Sequence, residues 1–277
     1  MKTFFFFTLL SILLFSCNSN GNNKTTSSNA IAEKRASENN SSTEKEIVRL
    51  SGLKVKKERF KAEKCLDVPR EEWMEEDPEP FCASIVVELM KITLNDEEVA
   101  EKINAQIAST ITGKRNDINI KSFVNKVKSI KEVEEASQED YSCTLFDSTN
   151  RMLSIGVGSS YMAYMAAHPG GNLTILNFDL ETGSTIGLQN VLIEDYLKPL
   201  KGIVYNKFIK KNGKQGWDFT NVNNFKLAKN VAIKRKGLLF SYNSYEIGSY
   251  ASGAPEILVS WEELKELRKE NPYISFN

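Results

Sequence analysis

The chain has a single histidine, His168, in the run Tyr164 to Gly171 (YMAAHPGG). An imidazole titrates near neutrality, so His168 is the natural general base if this protein performs acid–base chemistry. Two carboxylates could orient it. Asp179 lies further along the same segment. Glu246 is the one charged residue in the otherwise uncharged run Gly237 to Pro255 (GLLFSYNSYEIGSYASGAP). The structural alternative is a histidine that bonds nearby backbone in a Pro-Gly-Gly turn, with Asp179 capping the amides of the turn at Thr182-Gly183. No serine or cysteine stands in a nucleophile elbow, and no glycine-rich phosphate loop is present.

Tyrosines gather around the same two segments: Tyr161 and Tyr164 before the histidine, and Tyr242, Tyr245 and Tyr250 in the later run. A tyrosine offers a large flat face with a polar tip, suited to a sugar or a protein partner. Tyr245 and Tyr250 are the candidates for such a face, together with His168 and Glu246. Tyr161, Tyr164 and Tyr242 read as half-buried strand residues.

Four cysteines are present. Cys17 ends an N-terminal export-like segment. Cys65, Cys82 and Cys143 would then reach an oxidising compartment, where an odd count allows one internal bridge and one thiol. Cys65–Cys82 would staple the acidic loop LDVPREEWMEEDPEPF; Cys82–Cys143 is the competing pairing. The spacings match no zinc site, and the acidic loop lacks the alternating ligands and central glycine of a calcium loop. No metal or other cofactor is expected.

The elements that must position these residues alternate between strand and helix patterns. Phe81–Leu94 is β-branched and apolar, Leu53–Phe60 a weaker edge strand. Asn95 and Glu98 form a capping-box pattern before a helix with Val99, Ile103, Ile107 and Ile111 on one face, closed by Gly113. Residues 121–136 carry Phe123, Val127, Ile130 and Val133 at helical spacing. Strands are expected at 141–146, 152–165, 173–180, 225–233, 238–242 and 257–259, a helix at 194–211, and a last helix capped by Ser260 with Glu263. Helices between antiparallel-looking strands predict an α+β fold of two small subdomains, each a mainly antiparallel sheet with packed helices. The expected division is 46–165 and 166–277.

Ahead of these, Met1 to Ser16 has the cation, apolar run and small residue of a signal peptide, too short to span a bilayer. Leu14 and Ser16 before Cys17 resemble the lipobox of bacterial lipoproteins, so 1–16 reads as signal peptide and Cys17 as the lipidated residue. By the same resemblance, Asn18 favours the outer membrane. Residues 17–45 hold almost nothing to bury and read as a disordered linker, the leash from Asn18 to Lys45 reaching roughly 30 Å. Lys and Arg total 36, as do Asp and Glu, a balance that gives no basic face for nucleic acid.

Ala167-His168-Pro169 through Asn177-Phe178-Asp179-Leu180-x-Thr182-Gly183, followed by Tyr245-Glu246-Ile247-x-x-Tyr250-Ala251-x-Gly253, resembles a bacterial extracellular domain of uncertain function. That domain forms the outer part of lysozyme-responsive anti-sigma-V factors and accompanies a peptidoglycan deacetylase. The resemblance spans about Ile155 to Leu267, and more loosely the portion from Val55 onward, which looks like the domain that usually precedes it. Met165 and Ala166 stand where that family has glycines. The metal-binding catalytic domain of the deacetylase has no counterpart in a chain with one histidine. The resemblance implies a lipid-anchored envelope module, non-catalytic, that binds a lysozyme-like protein or a peptidoglycan fragment. The alternatives are an envelope hydrolase using His168 with Glu246 or Asp179, and a purely structural lipoprotein.

Overall fold

The computed structural model describes residues 52–71, 76, 78–113 and 119–276. The segments expected to be a signal peptide and a linker, with Cys17 between them, lie outside these residues. The fold is α+β, with two sheets and a few helices. Strands β1 (Lys54–Leu66), β2 (Phe81–Thr93), β3 (Ser137–Ser148), β4 (Met152–Ala163) and β5 (Gly170–Asp179) form a five-stranded sheet in that order. All pairs are antiparallel except β2–β3. A parallel pair needs a long crossover, here α1 (Glu97–Thr112) and the short α2 (Ile120–Asn125). A second sheet holds β6 (Asn230–Lys234), β7 (Gly237–Ser241) and β8 (Glu256–Ser260), all antiparallel, with α3 (Leu197–Asn212) against it.

Helix α1 forms because its apolar residues recur on one face: Val99, Ile103, Ile107 and Ile111 are all buried in the first core. Its cap is Asp96, one residue later than expected; the Asp96 carboxylate accepts from the Val99 amide at 3.1 Å. An aspartate there also places negative charge at the positive end of the helix dipole. Gly113 closes the helix at φ 68°, its N–H donating to the Ser109 carbonyl. Beyond the β2–β3 pairing, which ends at Glu88 and Ser142, the Asn104 side chain takes over the ladder: it donates to the Ile92 carbonyl and accepts from the Ile92 amide, both at 2.8 Å.

The helix expected over 121–136 is broken. α2 ends at Asn125, and 126–129 and 133–135 are 3₁₀ turns. Val124, Val127, Val133 and Ala136 are the buried residues, at separations of three and six that match the 3₁₀ repeat rather than 3.6. The last expected helix is also absent. The Ser260–Glu263 capping box forms, with the Ser260 amide donating to Glu263 at 2.8 Å, but residues 261–267 are a run of turns. Leu264 and Leu267 still face the second core.

The described residues fall in one compact unit with two hydrophobic cores. In the second core, α3 lays Leu200, Val204 and Phe208 against Phe219, Phe225 and Tyr242, with Phe208 edge-on to Phe219 at 5.4 Å. β5, on the C-terminal side of the expected 165/166 division, completes the N-terminal sheet. Its outer edge is met by asparagines of the second sheet's elements. Asn230 accepts from the Ile175 amide (3.0 Å) and donates to the Leu173 carbonyl (2.7 Å), while Asn243 accepts from the Leu173 amide (2.7 Å). Asn177 completes the seam from β5, donating to the Val231 carbonyl at 2.8 Å and accepting from the Ile233 amide at 2.9 Å. These side chains satisfy strand groups that would otherwise be orphaned at a sheet edge.

Candidate functional site

The β4–β5 loop and the segment after β7 meet at one end of that seam. Asn243 fixes the start of the second segment against β5. Glu246 then pins its turn: one carboxylate oxygen accepts from the Asn243 amide at 2.9 Å, the other from the Lys229 amide at 3.0 Å. Held this way, Tyr245 adopts φ 65°, and Met165 in the facing loop adopts φ 56°. A left-handed backbone is uncommon for such bulky residues and marks a conformation imposed by its surroundings.

The two loops bring three aromatic rings together. His168 stacks on Tyr250, with centroids 4.3 Å apart and planes 19° from parallel. Tyr245 lies 5.8 Å from Tyr250. Its hydroxyl is 3.5 Å from His168 Nε2, and Nδ1 faces the Pro169 carbonyl at 3.1 Å. Tyr245 is 60% exposed and Tyr161 is 52% exposed. Both line a cleft of about 380 Å³ with His168 and Tyr250. A second cleft of about 330 Å³ adjoins it across Gly170, Gly171, Asn172, Ser244 and Tyr250. The glycines have a steric role: a Cβ on Gly170 would sit 2.3 Å from the Tyr161 ring, and one on Gly171 would sit 2.7 Å from the Ser159 carbonyl.

Of the sequence candidates, His168, Tyr245 and Tyr250 converge. Glu246 supports them from behind, occupied by two backbone amides and aimed at neither ring nor cleft. The pairings a hydrolase would need are not formed. Asp179 lies at the far end of β5, roughly 30 Å away at ~3.3 Å per residue. There it accepts from Arg151 Nε (2.9 Å) and Nη2 (3.2 Å), the Glu181 amide (2.8 Å) and the Tyr273 hydroxyl (3.2 Å). Burial alone would raise its pKa, but the Arg151 and Glu181 bonds outweigh that and hold it below the usual carboxylate range.

Tyr161, read from the sequence as a strand residue, belongs to the site because it stands near the end of β4, paired with Gly170 at the start of β5. Tyr164 instead meets Phe81 edge-on, and Tyr242 is core, its hydroxyl donating to the Lys226 carbonyl at 3.0 Å. Burial pushes that phenol pKa up. Asn172, Asn243 and Ser244 were missed; nothing local in the sequence marks them.

Cys65 and Cys82 are directly opposite on β1 and β2 and form a disulfide. Cys143 is a buried free thiol whose pKa burial pushes up. The described cluster with metal-ligand proximity is Glu63, Cys65 and Cys82. Its two sulfurs are consumed by the disulfide, leaving one carboxylate and no ligand set.

Residues 189–262 match the family model described as a protein of unknown function, DUF3298. This stretch includes the Tyr245–Gly253 motif and begins after the His168 segment. No curated protein matches the chain. Two solved structures are similar in fold. One is a DUF3298 family member from Bacteroides fragilis NCTC 9343, with a TM-score of 0.64 and 16% identity over 80% of this chain and 96% of that one. The other is a DUF3298 family protein from Pseudomonas aeruginosa PAO1, with a TM-score of 0.56 and 14% identity over 79% of this chain and 97% of that one. At these identities the likeness establishes the fold.

Proposed function

We propose that this protein is a lipid-anchored recognition module of the cell envelope, tethered through Cys17 and binding its ligand without turnover at the His168–Tyr245–Tyr250 surface. The observation that carries the reading is the assembly of exposed rings from two loops far apart in sequence, each holding a bulky residue at positive φ. Strain kept in two facing loops, around aromatic surface left open to solvent, fits pre-organisation for a ligand better than packing for stability. No described helix is long and apolar enough to cross a membrane. The sequence resemblance supplies two ligand classes, a lysozyme-like protein and a peptidoglycan fragment.

Calorimetric titration of the full chain in mild detergent, with lysozyme and with solubilised peptidoglycan fragments, tests this. Saturable heat with one ligand and no new product is the expected result. Silence with both, or product accumulation that needs His168, contradicts the proposal.

A further inference from the structure

No carboxylate, ammonium or guanidinium group lines the double cleft. Sixteen residues line its two parts, and none is Asp, Glu, Lys or Arg. Charged residues make up 26% of the chain, so about four would be expected in a sample of that size. Hydrogen-bonding capacity is nevertheless left open there. The side chains of Ser160, Asn172 and Ser244, and the hydroxyls of Tyr161 and Tyr250, make no hydrogen bond among the described residues.

This combination selects a ligand class. A cationic protein or a charged peptide entering the cleft would lose hydration with no opposite charge to receive it. A pyranose ring has the complementary pattern. Its axial C–H face is apolar and lies flat on an aromatic ring, while its equatorial edge presents neutral donors and acceptors for amides and hydroxyls. Tyr161 and Tyr245 supply the faces, and Ser160, Asn172 and Ser244 supply the edge partners. Each part of the cleft falls in the size range of a small-ligand site, and the two share Gly170 to Asn172 as a continuous floor.

We infer that the cleft binds the neutral sugar backbone of a glycan chain, at least two consecutive pyranose rings, and that it does not read the charged peptide of a peptidoglycan fragment. This rests on the proposed recognition surface and narrows its ligand.

The single histidine provides a reporter, because its ring protons give one set of imidazole signals. The full chain in mild detergent is titrated with N-acetylglucosamine monomer and tetramer, with cellotetraose, and with a charged stem peptide. The tetramer is expected to move the His168 signals saturably and to bind at least about tenfold tighter than the monomer. Affinity should change less than about twofold between low and high salt, since no ion pair forms. Tyr245→Ala and Asn172→Ala, both at exposed positions, should each weaken binding about tenfold or more with the melting temperature retained. Equal binding of cellotetraose supports recognition through the ring alone. No saturable shift with either oligosaccharide, or a shift with the stem peptide only, overturns the inference. If intact sacculi still bind and lose that binding in a Tyr245→Ala/Tyr250→Ala variant, the recognition surface stands and only the sugar assignment falls.

Discussion

Asp179 and Arg151 form a two-pronged ion pair at the root of the turn that closes β5, and the Tyr273 hydroxyl brings the C-terminal segment into the same cluster. The carboxylate is buried, so Asn in its place ends the charge pairing with Arg151 and sets an NH2 donor where an oxygen accepted from Arg151 Nη2 and the Tyr273 hydroxyl. Asp179→Asn should cost ~2–4 kcal/mol of unfolding free energy, measurable by chemical denaturation. An acid whose folded pKa is depressed stabilises the fold fully above its unfolded value, near 4, and loses that contribution as pH falls through the folded value. Wild-type stability should therefore fall as pH drops below about 4, and the decline should be shallower in Asp179→Asn. Parallel declines in the two proteins would remove Asp179 from this role. Its part in capping the Glu181 amide was legible in the sequence, because Asp two residues before an amide is ordinary turn chemistry. The Arg151 partnership was not, since it joins residues brought together only by the β4–β5 pairing.

At the scale of elements, the β4–β5 hairpin and the segment after β7 decide the geometry of the site. Gly170 lies beneath the Tyr161 ring, which is exposed and free to move. Gly170→Ala should displace that ring and weaken ligand binding several-fold, with the melting temperature nearly unchanged; a large fall in melting temperature would show that the glycine serves the fold instead. The β1–β2 hairpin is stapled by Cys65–Cys82, separated by 17 residues in sequence. Loop-closure entropy gives such a bridge ~3 kcal/mol, so a Cys65→Ala/Cys82→Ala variant should unfold at correspondingly lower denaturant. Periodicity revealed most strands and two of the helices, because one buried face imposes a pattern of two or 3.6. It misread 121–136, where apolar residues three apart suit a 3₁₀ turn as well as a helix. The 260–267 segment kept its capping box and still failed to form a regular helix, a case of tertiary packing overriding a local signal.

At the largest scale, the described residues form two sheets sewn along β5 by Asn177, Asn230 and Asn243. That seam escaped sequence reasoning because it consists of side-chain bonds to backbone groups more than fifty residues away. It also explains why the division expected near residue 165 does not separate two sheets: β5 is the last strand of one and the docking edge for the other. The candidate site was half legible. A lone histidine beside Pro-Gly-Gly and a tyrosine-rich run stand out in any reading, whereas Tyr161, Asn172 and Ser244 join them only through the fold.

The central claim is that ligand capture belongs to the aromatic surface built from these two loops. A binding isotherm on purified peptidoglycan sacculi tests it most directly, with the full chain compared with a Tyr245→Ala/Tyr250→Ala variant of equal melting temperature. The account predicts saturable binding by the parent and a loss of about tenfold or more in the variant. Equal affinity of the two proteins, or no saturable binding by the parent to either sacculi or lysozyme, would contradict it.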